Sequence, residues 1–183
     1  SFIDMAYAIT QSLNEKQMVW YVKDTAFQKN TDVVNWQGRL ITPRCAESDQ
    51  NCINDTFLSL DANLGVNKAN FFIRRNITQK IRFEESGTIR NSFIMKIQND
   101  SASDVFPGGT YKNYFQLFLP LDSEIRSVTK DGTSVDNIDQ RESEFKIIGF
   151  YFELLPQKAA EIQVDYKLLQ KIPKGSSTYQ LVW

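Results

Sequence analysis

From residue 71 onward the chain alternates. Phe71, Ile73, Ile77, Ile81 and Phe83 fall on one side of a period-two pattern, and Arg74, Asn76, Thr78, Lys80 and Arg82 fall on the other. Successive side chains of a strand point to opposite faces, so the pattern predicts one long, half-buried strand. A Gly/Asn-rich turn, Asn63-Leu64-Gly65-Val66-Asn67, precedes it. Beyond it Ile89, Phe93, Met95 and Ile97 share a face, and residues 84–87 read as the hairpin turn between the two strands. Further strands are predicted at 114–119, stopped by Pro120, and at 125–128, before an Asp131-Gly132 turn. Residues 145–154 are apolar on both faces, which suits a covered central strand. In 160–168 the alternation is clean, with Ile162, Val164, Tyr166 and Leu168 inward, and a last strand occupies 179–183. Seven strands over about 115 residues predict an immunoglobulin-like β-sandwich.

Before this region the pattern is mixed. Phe2, Ala6, Ile9 and Leu13 form a helical stripe over 2–16, and a second helix is predicted over 25–34 with Asp24 as its N-cap. The run 18–22 reads as a buried strand, 39–41 as a short one, and 57–61 as extended. The expected fold is therefore mainly β: a sandwich over 61–183, preceded by a smaller α/β (α+β) segment over 1–60. That segment has too few strands for a sheet of its own and reads as the end of an upstream domain. Because the chain opens inside a helix, an upstream signal or membrane anchor is expected.

Charge and composition narrow the function classes. Formal net charge is -1 and no basic tract occurs, so the electrostatic footprint of a nucleic-acid binder is missing. The apolar run at 147–155 is far short of the ~20 residues that cross a bilayer, so membrane attachment is expected only through an upstream anchor. There is no histidine, which removes Ser-His-Asp and Cys-His nucleophiles and imidazole metal sites. The two cysteines, Cys45 and Cys52, bracket a polar loop, and their spacing fits neither CxxC redox chemistry nor a four-ligand zinc site. A reduced pair in a cytosol and a local disulfide are the two readings. The disulfide is favoured because no other cysteine competes, and it argues for an extracytoplasmic setting.

Gly65-Val66-Asn67-Lys68 invites comparison with a phosphate-binding loop, but the first glycine of that motif is missing and a strand follows where a helix is needed. A tight turn is the better reading, with Gly65 and Asn67 serving backbone geometry and Lys68 laying its stem over apolar surface. Glu47, Asp49, Asp55 and Asp61 give the cysteine loop an acidic cast without the regular spacing of a calcium loop, so a solvated loop is expected and no metal or cofactor. The adjacent carboxylates Glu84 and Glu85 point apart and make no acid/base pair. Most aromatics suit the sandwich core. Tyr111 and Tyr114, beside Pro107-Gly108-Gly109, are the candidates for an exposed glycan-binding face. Asn54-Asp55-Thr56, Asn76-Ile77-Thr78 and Asn99-Asp100-Ser101 match the glycosylation sequon, which matters only in a eukaryotic host.

Several of these segments carry a family resemblance. Asn63-Leu64-Gly65-Val66-Asn67-Lys68-Ala69-Asn70 before an alternating strand resembles the hallmark of a bacterial family called domain of unknown function 4012. So do Pro107-Gly108-Gly109-Thr110-Tyr111-Lys112-Asn113-Tyr114 and the closing Asp165-Tyr166-Lys167-Leu168 and Tyr179-Gln180-Leu181. Val66 stands where a second glycine is expected, and Gln116 where a basic residue is expected. The resemblance implies an envelope protein anchored by an N-terminal transmembrane helix and associated with surface polysaccharide, with no established activity and no catalytic residue to carry over. The family's middle region is faintly similar to the LytR-CpsA-Psr phosphotransferases, which attach glycopolymers to cell wall.

The resulting expectation is a non-catalytic, extracytoplasmic module of a membrane-anchored bacterial envelope protein that binds or positions a protein or a surface glycan. The alternative is an accessory C-terminal part of a glycopolymer phosphotransferase whose active site lies upstream.

Overall fold

The structure, a computed structural model, describes residues 1–15, 17–34, 36, 45, 46, 49 and 51–183. It divides into two compact units, Ser1–Ile41 and Thr42–Trp183.

The first unit contains two helices, α1 (Phe2–Asn14) and α2 (Thr25–Val33). Helix α1 starts at a capping box: Ser1 Oγ accepts from the Asp4 amide and the Asp4 carboxylate accepts back from Ser1. Asp24 caps α2 as expected, its Oδ1 accepting from Phe27 N at 2.8 Å. The strand expected at 18–22 does not form. A single apolar run needs a partner ladder, and this unit has none among the described residues; Trp20 N reaches Trp36 O instead, at 2.9 Å. The strand expected at 39–41 lies outside the described residues. No described helix is long and apolar enough to cross a membrane.

The second unit is a sandwich of antiparallel sheets. Its strands are β1 (Cys52–Thr56), β2 (Leu58–Asn63), β3 (Ile73–Phe83), β4 (Ile89–Asn99), β5 (Tyr111–Pro120) and β6 (Ser123–Lys130). They continue with β7 (Thr133–Ser134), β8 (Asp139–Glu142), β9 (Phe145–Leu154), β10 (Ala159–Leu168) and β11 (Thr178–Val182). One sheet runs β2-β5-β9-β8 and the other β3-β4-β10-β6-β7, while β1 and β11 pair as a parallel ribbon. The arrangement is compatible with an immunoglobulin-like fold. The Cys45–Cys52 disulfide is formed at the entrance to β1.

The inward faces follow the alternation. Phe93, Met95 and Ile97 of β4 and Ile162, Val164 and Tyr166 of β10 meet Phe115, Leu117, Ile148 and Phe150 of the facing sheet. Aromatic contacts run through the core from Phe57 to Phe93, Phe115, Phe150 and Phe152. The expected turns are present: Gly87 at φ 81° in the β3–β4 hairpin, and Asp131 and Gly132 at φ 53° and 76° between β6 and β7.

Three expectations change. The sandwich does not begin at residue 61, because β1 and β2 already belong to it, β2 pairing with β5 from Leu58↔Phe118 to Asn63↔Asn113. The long strand does not begin at Phe71: Ala69–Phe72 is a 3-10 turn closed by Phe71 N to Lys68 O at 2.9 Å, and Phe71 points into solvent. Strand β3 is also a sheet edge rather than a half-buried strand, so Ile77 and Phe83 keep substantial exposure.

Candidate functional site

The turn after β2 is held by amides. Gly65 N donates to Asn63 Oδ1 at 3.0 Å, Ala69 N to Asn67 Oδ1 at 3.2 Å, and Asn63 Nδ2 to Asn67 O at 3.2 Å. Asn67 Nδ2 also ties the turn to the next loop through Thr110 O at 3.0 Å. Space at 65 is tight rather than its backbone special: a Cβ there would sit 3.0 Å from both the Asn63 and the Asn67 side-chain oxygens, and its φ is not in the left-handed region. The four turn residues singled out in the sequence, Asn63, Gly65, Asn67 and Lys68, thus belong to one structural unit, with Lys68 exposed.

Beside this turn lies a polar cleft of about 400 Å³, lined by Asp61, Asn63, Asn67, Lys68, Asn70, Arg75 and Tyr111. Its wall is built across the open side of the sandwich. Arg75 pairs in register with buried Ile97, so its side chain turns toward the core rather than outward. Its Nε meets Asp61 Oδ2 at 2.7 Å and its Nη2 donates to the Tyr111 hydroxyl at 3.2 Å. Asn113 Nδ2 donates to the other Asp61 oxygen. Asp61 is therefore neutralised within the wall, while the Arg75 side chain stays one-third exposed and the exposed Lys68 has no ion-pair partner among the described residues.

Tyr111 departs from expectation. It is fully buried, so it presents no ring to a glycan, and burial raises its phenol above the ordinary range. It is the first inward residue of β5, which is why it and Tyr114 cannot share a face.

Tyr114 does face outward, half-buried, and pairs across strands with Tyr151, which is 47% exposed. The Tyr114 phenol lies over Gly149, where a Cβ would come within 2.9 Å of its oxygen. Its hydroxyl donates to Asp139 Oδ2 at 2.5 Å, a bond that raises the phenol pKa, and the Tyr151 hydroxyl donates to Glu153 at 2.6 Å. Leu60 and Gln116 lie alongside on the same face. From sequence Tyr151 falls among the aromatics expected mostly in the core; it turns outward, and because 145–154 is apolar on both sides no alternation marked its outward residues.

A third cluster is buried. Asp55, placed by sequence in a solvated acidic loop, lies on β1 and is fully enclosed. It accepts from Asn91 Nδ2 at 2.9 Å, from Thr56 N at 2.8 Å and from the Tyr179 hydroxyl. Loss of hydration outweighs these donors and raises its pKa to about 6. Gln79, the second polar residue on the inward face of β3, donates to the Tyr166 hydroxyl at 3.0 Å. Asn91 Oδ1 and Gln79 Oε1 have no donor among the described residues. With Asp55 turned into the core and Asp61 paired to Arg75, these two carboxylates do not converge, and no metal-holding group of His, Cys, Asp or Glu occurs among the described residues. Glu47 lies outside them. Asn99 is equally buried, its Nδ2 donating to Gly109 O at 2.8 Å and Leu154 O at 2.9 Å, so that sequon holds no glycan acceptor in the folded chain.

No family model, curated protein or solved structure matches the chain.

Proposed function

We propose that this chain is a non-catalytic, extracytoplasmic module of a bacterial envelope protein, and that it binds a surface glycan on the outer face of the β2-β5-β9-β8 sheet. The observation that carries the reading is the outward cross-strand pair Tyr114 and Tyr151 with Gly149 beside them. A sheet face offering aromatic rings, flanked by Asp139, Gln116 and Glu153, combines apolar faces for sugar C–H groups with polar groups for hydroxyls. The Cys45–Cys52 disulfide supports an oxidising compartment. The turn at Asn63–Asn70 and the Pro107–Tyr114 segment support kinship with the domain of unknown function 4012 family, and through it an envelope setting.

The test is a glycan array probed with the chain and with its Tyr114→Ala and Tyr151→Ala variants. A glycan should be retained by the parent and lose at least about tenfold in affinity in each variant, as expected for loss of a stacking ring. Glycan binding that survives both substitutions, or an array on which nothing is retained, overturns this face.

A further inference from the structure

Three loops meet at one end of the sandwich: 63–73 between β2 and β3, 99–111 between β4 and β5, and 154–159 between β9 and β10. Hydrogen bonds tie them into one platform. Lys68 N donates to Pro107 O at 2.7 Å, Asn67 Nδ2 to Thr110 O at 3.0 Å, and Gln157 Nε2 to Ser101 O at 2.8 Å. The buried Asn99 joins the second loop to the third through Gly109 O and Leu154 O.

This network leaves large apolar side chains outside it. Leu64, Val66, Phe71, Val105, Phe106 and Leu155 are all exposed, Phe71 at 86% and Val66 completely. Single exposed apolar residues are ordinary, but six from three interlocked loops at one end make a surface that water solvates poorly. The loops are bonded to one another, so these side chains have no easy route back into the core.

A cation lies among them. Lys68 falls between Val66 and Phe71 in the chain and has no ion-pair partner among the described residues, whereas Arg74 is paired to Asp100 and Lys112 to Glu153. Behind Lys68 opens the cleft, in which Arg75 keeps one-third of its side chain exposed. Leu64, Val66 and Leu155 also border Asp104, which accepts from Thr110 N, and Glu153, paired to Lys112. The apolar tip thus has carboxylates on one side and, on the other, a cleft where Lys68 adds a positive charge to the Arg75–Asp61 pair.

We propose that this end of the sandwich docks on an anionic phospholipid surface, with Leu64, Val66, Phe71 and Phe106 entering the interface and Lys68 and Arg75 meeting lipid phosphate. Apolar side chains projecting singly from separate loops suit a fluid interface. Apolar area and attraction to anionic headgroups add in such binding. The site is distinct from the Tyr114 face, so either can fail without the other.

The test is co-sedimentation of the whole chain with vesicles of phosphatidylcholine alone and of phosphatidylcholine mixed with phosphatidylglycerol. The mixed vesicles should bind it, and binding should weaken at least about tenfold in Val66→Asp/Phe71→Asp and about fivefold or more in Lys68→Glu. These positions are solvent-exposed, so the variants should keep the parent's circular dichroism and melting temperature. Absence of sedimentation overturns the proposal. So does sedimentation unaffected by the tip substitutions, which would assign it to the exposed apolar side chains of α1. Inorganic phosphate is the control: amide shifts around Lys68 without vesicle binding would mark a site for a free anion and overturn membrane docking.

Discussion

Arg75 and Asp61 join the two sheets across the open side of the sandwich, Arg75 Nε meeting Asp61 Oδ2 at 2.7 Å. Each is an edge-strand residue turned inward, one from β3 and one from β2. Asp61 is nearly buried and Arg75 is one-third exposed, so the pair lies between the regimes of surface and interior ion pairs.

Removing Arg75 leaves the Asp61 charge with only Asn113 as donor. Arg75→Ala should cost about 2 kcal/mol, a value between the surface and buried limits. In a double-mutant cycle with Asp61→Asn, at least about 1 kcal/mol should be shared between the two positions. Urea denaturation of the four proteins measures both numbers.

Asp55 sets a pH dependence of unusual sign. Its folded pKa, about 6, stands above the 3.8 of the free side chain, so the folded chain holds the proton more tightly than the unfolded one. Its contribution is complete below pH 3.8 and is lost as pH rises through 6. The stability of the parent relative to Asp55→Asn should therefore fall by about 2 kcal/mol between pH 4 and pH 7. Denaturation at a series of pH values checks this; a difference that is flat or rises with pH would refute it.

The Cys45–Cys52 bond closes a short loop just before β1. On the entropic account, replacing both cysteines by serine should cost about 2.5 kcal/mol. Intact mass under non-reducing alkylation should show no free thiol in the parent.

Asn99→Ala leaves Gly109 O, Leu154 O and Ser101 N without their side-chain partner in a buried place. A loss of about 3 kcal/mol is expected for several unmade bonds, with faster hydrogen exchange confined to 99–111 and 154–159.

The inward residues of β4, β5 and β10 were readable because each strand has one wet face and one dry one. Arg75 and Gln79 interrupt the apolar series of β3 at inward positions, and only the structure shows their partners: Arg75 reaches Tyr111 in the facing sheet and Gln79 reaches Tyr166 within its own. Tyr151 carried no such mark. Phe71 was misplaced because a 3-10 turn and the start of a strand offer the same apolar letters.

Local patterning by itself determined that this chain is mainly β, where its turns fall, which side of most strands is dry, and that two lone cysteines favour a bond. Those properties depend on residues within a few positions of each other. Pairing order depends on contacts far apart in sequence, so only the tertiary structure decided that β1 and β2 belong to the sandwich, that β1 runs parallel to β11, and that β3 is an edge. The same holds for the pairing of Arg75 with Asp61 across the two sheets and of Asp55 with Tyr179, 124 residues away. The Asp55 carboxyl and the Tyr179 phenol are both raised only because folding removes water from around them.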